Sequence, residues 1–207
     1  MSNSVEIIKN LTKEDYINNI ANLHIHTKYS DGLAEFSDIC KQAAAKYKYF
    51  AITDHNTIKG YLDHPDCKAI TGIEFDVWYK YIFLHLIAYG IDIYNTELQQ
   101  FYSKNKAGTE KDIMRFFSTR NLPKLINAIH NAGGIAVLAH PACCWALNMD
   151  KFIKDLTILG LDGLEVYYPY PRWRKYLKFC SPENIEGLAD KYNLIKTGGT
   201  DCHSLHL

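Results

Sequence analysis

Residues 21–32 read Ala-Asn-Leu-His-Ile-His-Thr-Lys-Tyr-Ser-Asp-Gly and carry the strongest structural signal in the chain. Apolar and polar side chains alternate through residue 27, which predicts a β-strand. His24 and His26 are two residues apart, so their imidazoles lie on one face of that strand and can bind one metal ion. Asp31 follows in a predicted turn before Gly32. The stretch therefore predicts a strand that ends in metal ligands.

Strand-like apolar runs recur along the chain and alternate with helical patterns. The predicted strands are residues 21–27, 49–55, 69–76, 81–90, 135–140, 163–168 and 194–200. The predicted helices are residues 34–47, 95–105, 122–131, 149–159 and 182–192, and the predicted loops are 106–112 and 169–174. This alternation predicts an α/β fold with parallel strands, either a barrel or an open sheet. In a parallel barrel, functional side chains collect at the carboxyl ends of the strands.

Side chains able to bind metal lie at or near the ends of these runs, except for one histidine inside the fourth run. The set is His24, His26, Asp31, His55, Glu74, His85, His140, Asp201 and His203. Each has a simple structural explanation on its own, such as a turn for Asp31 or a core histidine for His85. Together they predict a multinuclear site. Mixed imidazole and carboxylate ligands favour zinc, manganese or iron over calcium and magnesium.

The bulk composition is that of an ordinary globular protein. The 207 residues fit a single domain over residues 1–207, with 47% apolar residues, 22% charged residues and a net charge of zero. A neutral chain has no overall attraction to nucleic acid or membranes. We find no apolar signal core at the start and no run of 18 apolar residues, which predicts a cytoplasmic protein that does not span a membrane. The six cysteines show no C-x2-C spacing and are expected to be reduced.

The order of these motifs resembles the PHP family, the polymerase and histidinol phosphatase domain. The matching segments are residues 23–27, 30–32, 52–55, 72–74, 85, 139–141, 163–167 and 199–203. The resemblance covers residues 21 to 204, and the order of its motifs is specific. It implies a distorted (β/α)7 barrel with two to three divalent transition metal ions, Zn, Mn or Fe, in its cleft.

The resemblance also implies a division of the ligands among three ions. One ion would take His24, His26, Glu74 and Asp201. A second would take Asp31, His55 and His203. The third would take Glu74, His85 and His140, so that Glu74 bridges two ions. Glu74, Asp201 and His203 are accordingly expected to be catalytic as well as metal ligands.

The activity implied by the resemblance is hydrolysis of phosphate esters by a hydroxide that bridges the metal ions. The substrate would be a nucleotide, a short nucleic acid or oligonucleotide, or a small-molecule phosphate. Arg172, Arg174 and Lys28 are candidate substrate-binding residues, because arginine and lysine hold phosphates and Arg172 and Arg174 flank a tryptophan that can stack on a base. A solvated surface loop explains the two arginines equally well.

Other roles stay open at the level of sequence. Asp54 and Glu165 are expected to orient metal ligands from behind. Amidohydrolases also begin with His-x-His, but they bridge their metals with a strand-end lysine, and residues 82–90 contain none. The missing lysine argues against an amidohydrolase, but hydrolysis of a non-phosphate substrate stays open as the first alternative. A non-catalytic PHP module, like the degenerate domains of some polymerases, is the other alternative, although such domains lose ligands.

Overall fold

The structure is a computed structural model that describes residues 3–170 and 180–207. Its strands are β1 (Ala21–Asn22), β2 (Tyr49–Ile52), β3 (Ile70–Tyr79), β4 (Ile82–Tyr89), β5 (Ile135–Leu138), β6 (Gly163–Tyr167) and β7 (Ile195–Gly198). Its helices are α1 (Asn3–Asn10), α2 (Lys13–Ile17), α3 (Phe36–Lys46), α4 (Lys59–Asp63), α5 (Thr96–Gln99), α6 (Ala107–Glu110), α7 (Asp112–Phe116), α8 (Leu122–Asn131), α9 (Met149–Ile158) and α10 (Pro182–Lys191).

The strands form one sheet in chain order from β1 to β7, and this sheet nearly closes into a barrel. Beyond the ends of β1 and β7, the chain pairs across the gap through a parallel bridge between Ile25 and Cys202. The Leu23 amide also donates a hydrogen bond of 3.1 Å to the Gly198 carbonyl oxygen. The predicted α/β class and distorted seven-stranded barrel are confirmed.

The expectation that all strands are parallel is wrong for β4, which runs antiparallel to both β3 and β5. Only Lys80 and Tyr81 separate β3 from β4. A connection of two residues can join antiparallel strands but cannot make the crossover that parallel strands require. Lys80 adopts a positive φ of 55°, which closes the hairpin. The direction of β4 determines where its histidine lies.

Most helix predictions match the structure, but the segment between β4 and β5 differs. Residues 95–105 were expected to form one helix, whereas only α5 forms there. Residues 106–112 were expected to be a loop, but they form α6 and the start of α7. Among the described residues, every helix is too short or too polar to cross a bilayer.

The barrel wall separates two apolar clusters, because alternate residues of each strand point to opposite faces. On β4, Leu84, Leu86 and Ala88 pack into the large core beneath the outer helices. Ile87 and Tyr89 face the other way and join a smaller cluster that includes Ile8 of α1 and Val137 of β5. We call this smaller cluster the barrel base.

The expectation that all cysteines are reduced is wrong for one pair. Cys40 of α3 and Cys67, which precedes β3, form a disulfide with a Cα–Cα distance of 6.0 Å. The free cysteines among the described residues are Cys143, Cys144, Cys180 and Cys202. The disulfide ties α3 to the chain that enters the sheet at β3, so it adds a covalent link on the outer side of the barrel.

Candidate metal centre

A single carboxylate, that of Glu74 on β3, lies at the centre of the polar end of the barrel. Its side chain is fully buried. Its two oxygens lie between 3.0 and 3.4 Å from ring nitrogens of five histidines, namely His24, His26, His55, His85 and His140. Five imidazoles around one buried carboxylate form a dense group of potential metal donors.

The antiparallel direction of β4 explains why His85 was the exception in the sequence. The strand begins at the polar end of the barrel, so a residue near its start lies beside residues near the end of β3. In the register of the two strands, His85 lies opposite Asp76, and Ile87 lies opposite Glu74. His85 therefore points to the same face as Glu74 and Asp76.

The two histidines of the opening motif converge, as the alternation of the strand requires. Their Nε2 atoms are 3.0 Å apart. Asp201 Oδ1 lies 3.4 Å from His24 Nε2 and 3.1 Å from His26 Nε2. Two buried nitrogens this close to each other and to carboxylate oxygens provide a pocket for one shared cation.

Special backbone geometry holds two of these side chains in place. His140 and Asp201 have positive φ values of 29° and 51°, which non-glycine residues seldom adopt. A glycine is required at the turn after the opening strand, because a Cβ on Gly32 would lie 2.6 Å from the His26 carbonyl carbon. The polar end of the barrel is thus built from constrained backbone.

Ligand-type atoms meet in four groups, each with its atoms within 4.8 Å of one another. The first group is His24, His26, Glu74 and Asp201. The second is His26, Asp31, His55 and His203. The third is Glu74, His85 and His140. The fourth is His55, Asp76 and His85. All nine predicted side chains thus meet at one end of the barrel, in groups that resemble the three inferred from the family, and we call this assembly the mouth.

Asp76 is a member of the mouth that the sequence analysis missed. It is fully buried, and its Oδ1 lies 3.4 Å from His55 Nδ1 and 3.2 Å from His85 Nε2. The signal was present in the sequence, because Asp76 follows Glu74 by two residues on a predicted strand and must share its face. The predicted strand 69–76 included Asp76, but no role was assigned to it.

The charges of the mouth stabilise its carboxylates in the ionised form. Burial opposes the charge of Glu74, but His55, His24 and other imidazoles outweigh it and hold the pKa of Glu74 well below its usual range. Burial likewise opposes the charge of Asp76, and His55 and His85 lower the pKa of Asp76 to about 2. Ionised carboxylates are the form that binds metal.

The fit of these residues to metal ions is seen in the polar atoms that the fold leaves without partners. His26 Nδ1, His55 Nδ1, His140 Nδ1 and Asp76 Oδ1 are buried and have no hydrogen-bond partner among the described residues. Buried polar atoms are nearly always paired, so such a concentration at one site indicates a missing binding partner. Divalent cations suit this set of nitrogen and carboxylate donors.

Side chains behind the donors fix their orientation. Glu165 of β6 accepts a hydrogen bond from the His140 amide and lies 2.8 Å from His24 Nδ1, and the Tyr168 hydroxyl donates to Asp201 over 2.9 Å. With Nδ1 bonded to Glu165, His24 presents Nε2 to the mouth. Asp54 instead accepts hydrogen bonds from the chain just after His26, at Thr27 and Ser30.

Arg115 of α7 is the second residue that sequence reasoning did not place at the site. Its guanidinium is buried and lies 2.7 Å from Asp31 Oδ2, and it also pairs with Asp112. Its Nε is buried and has no hydrogen-bond partner among the described residues, with Asp76 Oδ1 at 3.8 Å. No helix was predicted around residue 115, so the position of Arg115 at the site was not expected.

Of the three predicted substrate-binding residues, only Lys28 lies in the part of the chain that the structure describes. Lys28 is exposed, and its ammonium lies 2.7 Å from Glu35. Arg172 and Arg174 lie outside the described residues. A role in substrate binding for all three stays a prediction.

The family assignment rests on most of the chain. Residues 22–188 match the family model of the PHP domain. The chain therefore belongs to the PHP family, and the resemblance noted in the sequence is confirmed.

Two curated proteins are similar in sequence. The uncharacterized protein MJ1587 of Methanocaldococcus jannaschii is 31% identical over an alignment that covers 73% of this chain and 83% of that protein. The phosphoribosyl 1,2-cyclic phosphate 1,2-diphosphodiesterase of Eggerthella lenta is 33% identical over 78 residues, which are 38% of this chain and 26% of that enzyme. The second match thus spans about a quarter of the enzyme.

Solved structures share the fold at low sequence identity. A proposed metal-dependent phosphoesterase from Bifidobacterium adolescentis superposes with a TM-score of 0.66 at 18% identity, covering 88% of this chain and 87% of that one. An amidohydrolase from Chromobacterium violaceum, solved with bound sulfate and no metal, gives a TM-score of 0.68 at 18% identity, covering 89% and 88%. These likenesses support the barrel fold.

Proposed function

We propose that this protein is a metal-dependent phosphoesterase that hydrolyses phosphate esters at the mouth of its barrel. The observation that carries the proposal is the buried Glu74 carboxylate with five imidazoles around it. Membership of the PHP family and the phosphodiesterase name of one partial relative support it. The proposed substrates are those that the family resemblance implies, namely nucleotides, short oligonucleotides and small-molecule phosphates.

The nine predicted side chains would hold two to three divalent ions of zinc, manganese or iron. Such ions, when bound, would activate water and neutralise charge on the phosphoryl oxygens. Glu74 would contact two of these ions, because one of its oxygens lies near His85 and His140 and the other near His24, His26 and His55. Asp76, which the family resemblance did not include, lies within reach of His55 and His85 and would support the same assembly.

The protein's own residues fix the geometry in which the ester reacts. Glu165 holds His24 with its Nε2 toward the mouth, and Tyr168 orients Asp201 through its hydroxyl group. Because His203 is partly exposed and lies 3.2 Å from Asp31, it stands where substrate would enter. We assign Glu74, Asp201 and His203 catalytic positions, with Asp201 and His203 on the side of the mouth open to solvent.

The test is a phosphate-release screen with the purified protein loaded with Mn²⁺ or Zn²⁺. The panel contains mononucleotides, nucleoside bisphosphates, short oligonucleotides, sugar phosphates and simple alkyl phosphates, with a lactone and amide set alongside. Metal-dependent phosphate release that disappears in Glu74→Gln supports the proposal. Turnover of a lactone or amide without any phosphate ester cleaved would instead support the amidohydrolase alternative. A metal-free, folded and inactive protein would support a non-catalytic module.

A further inference from the structure

A cleft of about 640 Å³ opens directly beside the mouth. His85 and His140 line its inner end, so the cleft is continuous with the candidate metal centre. Its outer wall is formed by Phe83 of β4 and by Ile113, Phe116 and Phe117 on and just after α7. A group attached to a phosphate held at the mouth would extend into this cleft.

The wall of the cleft is an ordered array of aromatic rings. The Phe83 ring lies edge-on to His85, with ring centroids 5.4 Å apart, and Phe116 is 5.4 Å from Phe83. Trp78 fixes the array from behind, because its indole nitrogen donates a hydrogen bond of 2.6 Å to the Phe116 carbonyl oxygen. Phe117 continues the array outward and is 70% exposed. A cluster of aromatic side chains that is open to solvent beside a candidate active site can bind an apolar part of a ligand.

The charges of the cleft argue against a ligand with several phosphates. Arg115 is the only arginine or lysine among the described residues that line it, and it is already paired with Asp31 and Asp112. Asp112 adds a negative charge at the rim. A second phosphate would be repelled by these carboxylates and would find no unpaired arginine or lysine among the described lining residues. A neutral apolar group would not be repelled.

We propose that this cleft is the leaving-group subsite and that it selects phosphate monoesters of alcohols that carry a flat apolar or aryl group. The inference rests on the proposed phosphoesterase function. In the reaction, the P–O bond to the alcohol breaks and a P–O bond to the oxygen of water forms. A proton from that water ends on the alcohol, and the products are inorganic phosphate and the free alcohol.

The test compares 2-phenylethyl phosphate with ethyl phosphate, two esters with similar leaving groups that differ in one aryl ring. We expect kcat/KM of the Mn²⁺-loaded protein to favour the phenyl ester on the order of tenfold or more. Phe117→Ala, at a position exposed enough to be replaced without loss of folding, should shrink that ratio. Tyr94→Ala, an exposed aromatic outside the cleft, should leave the ratio unchanged. A ratio near one, or a preference for a 3′,5′-bisphosphate or an oligonucleotide, would overturn the subsite.

Binding provides a readout that does not depend on turnover. Calorimetry with 2-phenylethylphosphonate and ethylphosphonate should show tighter binding of the phenyl compound, and this difference should shrink in Phe117→Ala. If the binding preference holds while no phosphate ester is hydrolysed, the proposed reaction is wrong and the subsite stands. If the two phosphonates bind equally while ethyl phosphate is hydrolysed, the reaction stands and the subsite is wrong.

Discussion

The mouth and the base of the barrel share the same strands but differ in how their buried groups are satisfied. Ile87 and Tyr89 at the base pack against apolar neighbours, and the Tyr89 hydroxyl donates a hydrogen bond of 2.9 Å to the Leu23 carbonyl oxygen. Glu74 and Asp76 at the mouth are equally buried, yet Asp76 Oδ1 has no hydrogen-bond partner among the described residues. Ile87 and Tyr89 of the base are satisfied by their neighbours in the fold, whereas the mouth gathers several unpartnered polar atoms that fit a ligand from solution.

This difference implies that the two ends contribute to different properties. Apolar burial at the base stabilises the fold in proportion to the area removed from water. Buried like charges at the mouth oppose folding unless a cation compensates them. We therefore expect substitutions at the base to change stability and substitutions at the mouth to change metal binding and activity, and four predictions follow this division.

The largest effect is expected for Glu74→Gln at the mouth. Removing the central negative charge should reduce metal content and lower activity by more than about a hundredfold, since even residues behind a metal ligand cost ten- to a hundredfold. Elemental analysis and phosphate release measure the two effects. Glu97→Gln, at an exposed glutamate of α5, is the matched control. Full metal content with wild-type turnover in Glu74→Gln would remove the distinction between mouth and base.

The base should respond in the opposite way. Ile87 lies opposite Glu74 in the sheet register. We expect Ile87→Ala to lower the free energy of unfolding by about 2–5 kcal/mol, because it creates a buried cavity. Metal content per folded molecule should be unchanged. Denaturant unfolding and elemental analysis of the folded fraction test both parts. Loss of metal with undiminished stability would show that the two ends are not separate.

A smaller effect is expected behind the mouth. Glu165→Gln keeps the size of the side chain but cannot accept hydrogen bonds from both His24 and the His140 amide, so the orientation of both histidines should loosen. We expect metal affinity to fall by about ten- to a hundredfold with little change in the stability of the metal-free protein. Titration with Zn²⁺ in competition with a chelator measures the affinity. Wild-type affinity would mean that the wall of the barrel orients His24 without Glu165.

The smallest effect concerns His130 of α8, whose partner Asp162 also accepts a hydrogen bond from the Ala136 amide near the start of β5. Its hydrogen bond to Asp162, with Nε2 2.8 Å from Oδ2, raises the pKa of His130 above 6.5. Because the pKa of His130 is raised in the folded protein, its pairing with Asp162 stabilises the fold fully below pH 6.5. This stabilisation is lost as the pH rises through the folded-state pKa of His130. Because both groups are partly exposed, we expect less than about 1 kcal/mol. The stability difference between wild type and His130→Gln in chelator, followed against pH, tests this; a difference that grows with pH would contradict it.

Local patterns predicted the strands and the metal-binding side chains, and the family resemblance predicted that the strands close into a barrel. Apolar runs ending in polar residues define the strands, and the two-residue spacing of His24 and His26 fixes their common face. The same rule would have found Asp76. His85 looked like a core residue because a single run does not show its direction, and only the two-residue hairpin reveals that β4 is antiparallel.

Other features depend on contacts that no local pattern shows. Arg115 reaches Asp31 across 84 positions of the chain from a short helix, and no element was predicted for the residues around position 115. The Cys40–Cys67 disulfide joins residues 27 positions apart without a recognisable motif. In both cases tertiary packing, rather than periodicity, sets the partner.

Binding of clustered metal ions at the mouth is the property on which the proposed function depends most directly. Crystals soaked in Mn²⁺ and measured for anomalous scattering should show two or three peaks at the mouth, spaced about 3.5–4 Å apart and including one next to the Glu74 carboxylate. The barrel base should show none. An empty mouth at saturating Mn²⁺ and Zn²⁺, with the imidazoles paired only to carboxylates, would contradict the account.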